Sequence, residues 1–583
     1  MTETAVTNPA PTLAPTSDPT LDQGHPRKWW ILVAVSIGMF MGLLDVTIVN
    51  IAIPSIEADL HASLASISWV LNAYSLTLAV FFLTMGRIGD KFGRKRVFLF
   101  GLVTFTTFSF LCGIAPDIKW LVAFRAGQGV GGAALLTVSL AIVLGAFPRR
   151  QQGAAVGIWA ALGTAAAAVG PVLGGVLLNY GHWSWIFFVN VPVGIFALVA
   201  CGMVIPRDGK SAGQEGSLDI PGMLISGAGL FMLTLALVQG GDWGWTSAVV
   251  LGLFAGAIIS FPLFIWREVS TPSPMFPVTL LRIRSFTAAN SAIMLLGMSM
   301  GGTFLLIVIF LQVVLGYTPL HAAVGMSVIP LVSLLIAPNS GRLNDRIGPR
   351  LPAAAGAACF AFGLILLAQL SGEATLWDVV WRALFIGVGM GLAMPTLSAA
   401  SMASLPPQVR GVGSGSLNTM RQVGFTIGVA LLVAIFSHTI AQNAQNATKQ
   451  AVGAIAANPQ LSPAQKQAYT GAVVGNAKLA AQNNGSSHLT TDPMMVRGTA
   501  APAAGTPEAA TYAKVNESVA AIYRHDLAES FTWPYYAAAL AALLAIMPAL
   551  LTGRRLGDDA GHNEMTREER AADRAADEAA EKP

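Results

Sequence analysis

The stretch GRIGDKFGRKRVFLFG, residues 86–101, places six charged side chains between two apolar runs. WVLNAYSLTLAVFFLTM leads into it, and VFLFGLVTFTTFSFLCGI continues from Val97. Each run is close to the roughly 20 apolar residues that span a bilayer as an α-helix. The stretch therefore predicts a charged turn that joins two transmembrane helices.

The composition of the whole chain agrees with a membrane protein. The 583 residues are 54% hydrophobic and only 11% charged, and the mean hydropathy is +0.61, whereas soluble domains carry about 25% charged residues. Cys112, Cys201 and Cys359 all lie inside apolar runs, so no disulfide framework is expected. Because no nucleotide-binding loop, zinc-protease or nucleophile-elbow pattern stands in a loop large enough for a soluble catalytic domain, we expect no enzyme, no cofactor and no metal site.

Apolar runs of spanning length recur along the chain, and helices satisfy their backbone polar groups within each segment. We predict fourteen spans, at roughly 29–51, 67–85, 97–115, 120–146, 153–178, 184–204, 220–240, 246–266, 286–312, 319–340, 351–370, 377–400, 412–438 and 528–552.

The basic residues between these spans alternate sharply from one side to the other. One side holds Arg27, Lys28, Arg87, Lys91, Arg94, Lys95, Arg96, Arg149, Arg150, Arg207, Lys210, Arg267, Arg282, Arg284, Arg342, Arg346, Arg350, Arg410, Arg554 and Arg555. The short loops of the other side hold Lys119 and, at a span edge, Arg382. Lys and Arg accumulate in cytoplasmic loops, so both termini should be cytoplasmic.

The opening stretch has a second copy, GRLNDRIGPR, at residues 341–350. The matching positions are Gly86 and Gly341, Arg87 and Arg342, Asp90 and Asp345, and Gly93 and Gly348. Repeated halves are typical of transporters that rock around a site near the membrane midplane. We therefore predict these domains: a disordered cytoplasmic N-terminus, 1–26; a six-helix bundle, 27–205; a linker with two extra helices, 206–284; a second bundle, 285–552, with a long extracellular loop, 439–527; and a charged cytoplasmic tail, 553–583.

Several motifs together resemble the major facilitator superfamily. GRIGDKFGRKR resembles the signature of the loop after its second helix, and RAGQGVGGA, from Arg125, resembles its fourth-helix motif. LDVTIVNIAIPSI resembles the first-helix motif of fourteen-helix drug:proton antiporters of the EmrB/QacA type. GTAAAAVGPVLGG resembles the fifth-helix motif of exporters, NTMRQVG is also similar to this group, and WSWIFFVNVPVG follows the sixth-helix pattern except that Ser184 stands where Arg is usual.

The resemblance implies an all-α polytopic membrane protein with the major facilitator fold, two six-helix bundles plus two extra central helices. It also implies proton-coupled efflux of lipophilic drugs or antibiotics, cationic ones included, across the plasma membrane. The expected partners are a small lipophilic substrate, protons and membrane lipids, with no nucleic acid, and the expected state is a monomer. A proton-coupled importer or metabolite exporter on the same fold stays open as an alternative, and so does a lipid-modifying membrane enzyme.

Asp45 lies within the first span, where a charged carboxylate costs about 2.5–3.5 kcal/mol. Burial disfavours its charged form, so it could carry a proton or hold a cationic substrate. The alternative is a neutral packing residue that is hydrogen-bonded to Thr47 or Asn50. Arg125, in the fourth span, stays charged, and it could tune a nearby acid, neutralise Asp45 or anchor the helix at the interface; the resemblance gives it a part in proton coupling.

Other candidates surround these two. In the thirteenth span, Arg421 with Gln422 and Asn418 could contact substrate or pair with another helix. Cavity candidates are Thr47, Asn50, Trp69, Asn72, Tyr74 and Gln312. The predicted conformational gating loop comprises Gly86, Arg87, Gly89, Asp90, Gly93, Arg94 and Arg96, with Gly341, Arg342 and Asp345 in the second copy. Asp90 should accept hydrogen bonds from a helix N-terminus or pair with a basic residue across the halves. Small residues of the exporter-type motif should form a tight seam between the halves: Gly163, Gly170, Pro171, Gly174 and Gly175.

The predicted orientation can be tested by cysteine labelling. In a cysteine-free background, Pro349→Cys should be protected from an impermeant maleimide in intact cells, and Ser371→Cys should react. Lysed cells should label both. Labelling of Pro349→Cys in intact cells would contradict the orientation.

Overall fold

The computed structural model describes residues 24–207, 218–482 and 507–553. Within these ranges all regular secondary structure is helical, and fourteen helices are long and apolar enough to cross a membrane, which confirms the predicted span count. The sixteen main helices are α1 Lys28–Asp59, α2 Leu64–Phe92, α3 Arg94–Gly113, α4 Ile118–Ala146, α5 Gln152–Tyr180, α6 Trp185–Val204, α7 Ile220–Trp243, α8 Ala248–Ser270, α9 Arg284–Ile309, α10 Pro319–Ile347, α11 Arg350–Leu367, α12 Leu376–Ala403, α13 Arg410–Ala457, α14 Pro463–Gln482, α15 Pro507–Glu529 and α16 Thr532–Leu550.

The two halves have the same internal packing. In the first half α1 packs on α5 and α6, α4 on α2 and α3, and α3 on α6. In the second half α9 packs on α13 and α16, α12 on α10 and α11, and α11 on α16. The contacts between the halves are also reciprocal, because α2 meets α13 and α5 meets α10. Each half is thus an equivalent six-helix bundle, and the two largest apolar clusters lie mainly one in each half.

Asp90, near the C-terminal end of α2, binds the first turn of α13 in the other half. Its two carboxylate oxygens each accept a hydrogen bond of 2.8 Å, one from the N–H of Gly411 and one from the N–H of Val412. Arg94 donates to the same carboxylate at 2.8 Å and also to the carbonyl of Pro407. First-turn N–H groups have no partner within their helix, so a carboxylate satisfies them and faces the positive end of the helix dipole.

Asp345 makes the corresponding contact from the second half. It accepts from the N–H groups of Gly153 and Ala154 at the start of α5, at 2.9 and 3.0 Å. The basic partner is missing here, because the position that matches Arg94 is Pro349. We call the two contacts the Asp90 cap and the Asp345 cap. Both lie at the end of the bundle that carries the basic loops after α2, α4, α10 and α12, which we call the basic end.

Glycines let the capped helices approach closely enough for these bonds. A Cβ on Gly86 would lie 2.8 Å from the carbonyl carbon of Gly411, and a Cβ on Gly341 would lie equally close to that of Gly153. Both distances are too short for a real side chain. Gly86 and Gly341 therefore leave no room for a side chain at these two contacts, and the caps close the basic end of the structure.

The two extra helices, α7 and α8, pack on each other, and α7 also packs on α2. Asp219, just before α7, accepts from Nε of Arg267 on α8 at 3.0 Å and from the N–H of Gly222 at 3.2 Å. Glu268 accepts from the N–H of Phe276 at 2.9 Å. These bonds hold the linker together at the basic end, and Met275 and Phe276 attach it to the first half through that half's apolar core.

The segment predicted as a long extracellular loop, 439–527, contains helices that the sequence analysis did not assign. Helix α13 continues without a break to Ala457, and α14 and α15 pack against its extension. A small apolar core of its own holds them together; its members are Ala451, Ile455, Leu461, Tyr469, Val473, Val515 and Val519. The predicted disordered N-terminus and charged tail fall almost entirely outside the described residues.

The glycine contact at the basic end predicts the effect of one added side chain. Gly86→Val should separate α2 from α13, because the new Cβ overlaps the Gly411 carbonyl. Spin labels at Phe92→Cys and Gln408→Cys should then report a longer distance. Gly145→Ala is the matched control, since nothing lies within 4 Å of its added Cβ. An unchanged distance in Gly86→Val would contradict the packing.

Candidate transport site

Asp45 of α1 and Arg125 of α4 form an ion pair inside the first half. Asp45 is fully buried and Arg125 is 1% exposed. Gln128, one turn after Arg125, joins them: its Nε2 donates to Asp45 Oδ1 at 2.9 Å, and its Oε1 accepts from Arg125 Nη1 at 2.8 Å. The three side chains therefore provide hydrogen-bond partners for one another where they are shielded from water.

The guanidinium of Arg125 is enclosed by further contacts. Its Nε donates to the carbonyl of Val70 at 3.0 Å. Its central carbon lies 4.4 Å from the centre of the Tyr74 ring and 5.8 Å from that of Phe187. A cation over an aromatic face is attracted by the ring, most strongly where water is absent. The interfacial-anchor interpretation of Arg125 is excluded by these contacts.

The three residues Asp45, Arg125 and Gln128, called the triad below, have hydrogen-bond partners in either protonation state of Asp45. When Asp45 is ionised, its charge is balanced by Arg125; when it is protonated, Arg125 keeps the Gln128 and Val70 oxygens as partners. The hydrogen bonds proposed for a packing role are made elsewhere, because Thr47 donates to the carbonyl of Leu44 at 2.9 Å and Asn50 to that of Val46 at 3.1 Å. Since Asp45 has no accessible surface, cargo does not touch it in this conformation.

The cavity candidates do not form one group. Tyr74 is 1% exposed and donates to the carbonyl of Gly42 at 3.0 Å, so its assignment to a cavity wall is wrong for this conformation. Asn50 is exposed, and Trp69, Asn72 and Gln312 are half-buried. Gln312 lies in the π-helical turn Phe310–Val314 that extends α9, a feature that often marks functional positions.

Arg421 of α13 lies in the second half, apart from the triad. Its Nη2 donates to Asn418 Oδ1 at 2.7 Å. Asn418 in turn donates to the carbonyl of Ser414 at 3.0 Å and, across the halves, to that of Leu136 on α4 at 3.5 Å. Gln422 is half-buried, with its backbone carbonyl accepting from Thr426 at 2.9 Å.

The gating-loop residues divide into those that bind across the halves and those that do not. Asp90, Arg94 and Asp345 do so directly, as described above. Arg96 is exposed, and Arg342 donates within its own helix to Asn339 at 3.4 Å. Gly93 has a φ of 104° and Gly348 one of 82°, so both copies end their helix with a residue in a left-handed conformation that favours glycine. Arg87 is buried, and Gly89 packs against Val138 of α4.

The exporter-type glycines correct one expectation. Gly163 faces Met39 and Leu43 of α1, and Gly170 and Gly174 face Thr47 and Ile48 of the same helix. A Cβ on Gly175 would meet nothing within 4 Å, and α5 runs without interruption through Pro171. The close seam therefore joins α5 to α1 within the first half. The contact between the halves uses the other end of α5, at Gly153 and Gly157.

Sequence reasoning missed Gln128, although it stands inside the quoted RAGQGVGGA. Its signal was the spacing of three from Arg125, which puts both side chains on one helix face. In the described residues, the group with metal-binding side chains is His525, Asp526 and Glu529 on α15. His525 and Glu529 are exposed and already contact each other at 3.3 Å, so nothing further is assigned to this group.

Comparisons with known proteins show which family this chain is similar to. Residues 35–429 match the Major Facilitator Superfamily. The tetracenomycin C resistance and export protein of Streptomyces glaucescens is 34% identical over 70% of this chain and 75% of its own length. The riboflavin transporter RibZ of Clostridioides difficile is 32% identical over 74% of this chain and 93% of its own. The crystal structure of the human organic anion transporter MFSD10 superposes with a TM-score of 0.53 at 14% identity, covering 71% of this chain and 94% of that one.

The buried ion pair predicts an asymmetric response to mutation. Arg125→Met leaves the Asp45 charge buried without its partner and should lower the free energy of unfolding by about 3–5 kcal/mol. The double variant Asp45→Asn/Arg125→Met should recover a large part of that loss. SDS-induced unfolding in mixed micelles measures both.

Arg382→Met is the matched control, because its partner Asp378 is 39% exposed; its effect should be about 1 kcal/mol or less. A double variant no more stable than Arg125→Met would show that the two residues do not act as a pair.

Proposed function

The chain belongs to the major facilitator superfamily, and on that premise we propose that it exports lipophilic compounds across the plasma membrane in exchange for protons. Family membership makes it a multi-pass membrane transporter of small molecules and not an enzyme. We further propose the outward direction of transport, its coupling to protons and the lipophilic class of compound.

Export is supported by the names of relatives and by the exporter-type helix. One relative is named a resistance and export protein, and GPVLGG lies where exporters of the resembled group have their fifth-helix motif. Another relative is named a riboflavin transporter. That name favours a second candidate function, transport of a metabolite. The vesicle experiment described below distinguishes the two functions by the compound that is transported and by the direction of transport.

Proton coupling rests on one observation, the buried triad of Asp45, Arg125 and Gln128. A proton that neutralises Asp45 removes the attraction between α1 and α4 at this point. The packing of α4 against α2, through the Arg125 contact with Val70, is retained. Loading and unloading the proton therefore changes how α1 is held, without leaving Arg125 unpartnered. Water must reach Asp45 for either step, so access has to accompany the movement of the halves.

The described conformation has its basic end closed by the Asp90 and Asp345 caps. If that end is cytoplasmic, this is the conformation that releases cargo outward and takes up a proton. Breaking both caps would open the cytoplasmic side, where Asp45 loses its proton and new cargo enters. A gradient of about 100 mV supplies about 2.3 kcal/mol per proton, a concentration ratio of about 50.

The test uses everted vesicles acidified by respiration, with tetracenomycin C, ethidium and riboflavin as trial compounds. A transported compound should collapse the pH difference in vesicles with the intact protein. Asp45→Asn should reduce that response at least tenfold, because its amide cannot carry the proton. Asp242→Asn is the matched control, since Asp242 is exposed at the C-terminal end of α7.

Three results would overturn parts of the proposal. Export that continues after the pH difference and the voltage are both dissipated would exclude proton coupling. Equal protection of cells by the intact protein and by Asp45→Asn, at equal expression, would exclude Asp45 as the coupling acid. Accumulation of the compound by intact cells would favour an importer.

A further inference from the structure

Arg421 is a second arginine in the transmembrane region, in a position unlike that of Arg125. It lies eleven residues after Arg410, where α13 begins at the basic end, which is about 16 Å along a helix that rises 1.5 Å per residue. That depth is about half of the roughly 30 Å hydrocarbon core. Arg421 therefore stands near the midplane, where transporters of repeated halves hold cargo.

The charge of Arg421 has no acidic partner among the described residues. The ion pairs of the described ranges include Asp45–Arg125, Asp90–Arg94, Asp219–Arg267 and Asp378–Arg382, and none involves Arg421. Its hydrogen bond goes to the neutral amide of Asn418. The structural alternative for Arg421, an ion pair with another helix, is therefore not realised here. Because Asp45 is paired with Arg125, no described carboxylate balances the charge of Arg421.

Arg421 is half-buried, so part of its side chain is accessible. From Arg410 to Thr419, α13 is buried, where it packs against α2 at the closed basic end. The next four residues, 420–423, are all half-buried. Asn418 uses one N–H donor of Arg421, and further donors remain. No nitrogen of Arg421 is both fully buried and without a hydrogen-bond partner. Arg421 thus stands where the buried part of α13 at the closed basic end gives way to half-buried residues.

We propose that Arg421 binds an acidic group of the cargo, so that the exported compounds are lipophilic acids such as carboxylates or phenolates. This inference rests on the proposed transport function and narrows its substrate class. A guanidinium presents five N–H donors in a planar fork that matches a carboxylate, so an anion can take two of them at once. A lipophilic cation, by contrast, meets a like charge in a medium of low dielectric, where repulsion is strong.

Asn418 acts as a positioning residue in this site. Its Oδ1 orients the guanidinium, while its Nδ2 is fixed by the carbonyls of Ser414 and Leu136. The nitrogen that binds Asn418 is Nη2, so the N–H groups of Nε and Nη1 are left for cargo. The test is a comparison of compounds that share a ring system and differ only in charge.

The experiment measures binding to the purified full chain in lipid nanodiscs at pH 7.5. The probes are anthraquinone-2-carboxylate, its methyl ester, and the same ring carrying a trimethylammonium group, with equilibrium dialysis as the readout. The carboxylate should bind at least tenfold more tightly than the ester, and the cation more weakly than either. Arg421→Gln should weaken carboxylate binding at least tenfold and ester binding less than threefold, so that retained ester binding reports an intact fold.

Arg421→Lys should lose part of the carboxylate preference, because it keeps the charge without the fork. Arg382→Gln is the matched control and should leave all three affinities unchanged. Equal binding of carboxylate and ester by the intact protein, or tighter binding of the cation, would overturn the inference without using any variant. Failure of proton coupling would appear instead in the vesicle test with Asp45→Asn, and would leave these affinities unaffected.

Discussion

Two carboxylates that cap helices of the opposite half hold the rest of the arrangement in place. The first turn of a helix offers N–H groups without internal partners, at the positive end of its dipole. Asp90 satisfies this need for α13 and Asp345 satisfies it for α5. Water can accept hydrogen bonds from the same N–H groups when the halves separate. The closure is therefore specific in its geometry and also reversible. In a purely apolar contact of the same area, water could not replace the lost contacts in this way.

The two caps are not equal, although their sequences repeat. Arg94 adds a charge-assisted bond to Asp90 and reaches the carbonyl of Pro407, whereas Pro349 stands at the matching position beside Asp345 and has no donor. Charge-assisted hydrogen bonds are about twice as strong as neutral ones. The α5–α10 side is therefore held by fewer polar bonds than the α2–α13 side. If the halves separate at this end, the Asp345 cap has fewer hydrogen bonds to break than the Asp90 cap.

The sequence predicted the fold well because a bilayer leaves few alternatives: apolar length gave the fourteen spans, and the copy of the charged loop at 341–350 gave the two halves. It also singled out Asp45 and Arg125, since a charge within an apolar run is rare. It could not give the direction of side chains. Tyr74 was expected in a cavity and lies under Arg125, and the α5 glycines face α1 instead of the other half. Helices in 439–527 escaped because Ala/Gln/Asn-rich composition has no clear apolar period.

The separation of charges between the halves suggests how cargo and proton could influence each other without touching. The triad is buried in the first half, and Arg421 is half-buried in the second. Asn418 connects them physically, because it holds Arg421 with one atom and the carbonyl of Leu136 on α4 with another. Helix α4 also carries Arg125 and Gln128. If an acidic compound draws the guanidinium away from Asn418, it loosens a contact with α4, whose Arg125 and Gln128 bind Asp45 of α1; a change in the triad would shift α4 in return. Thermodynamic linkage requires the two effects to be equal in size.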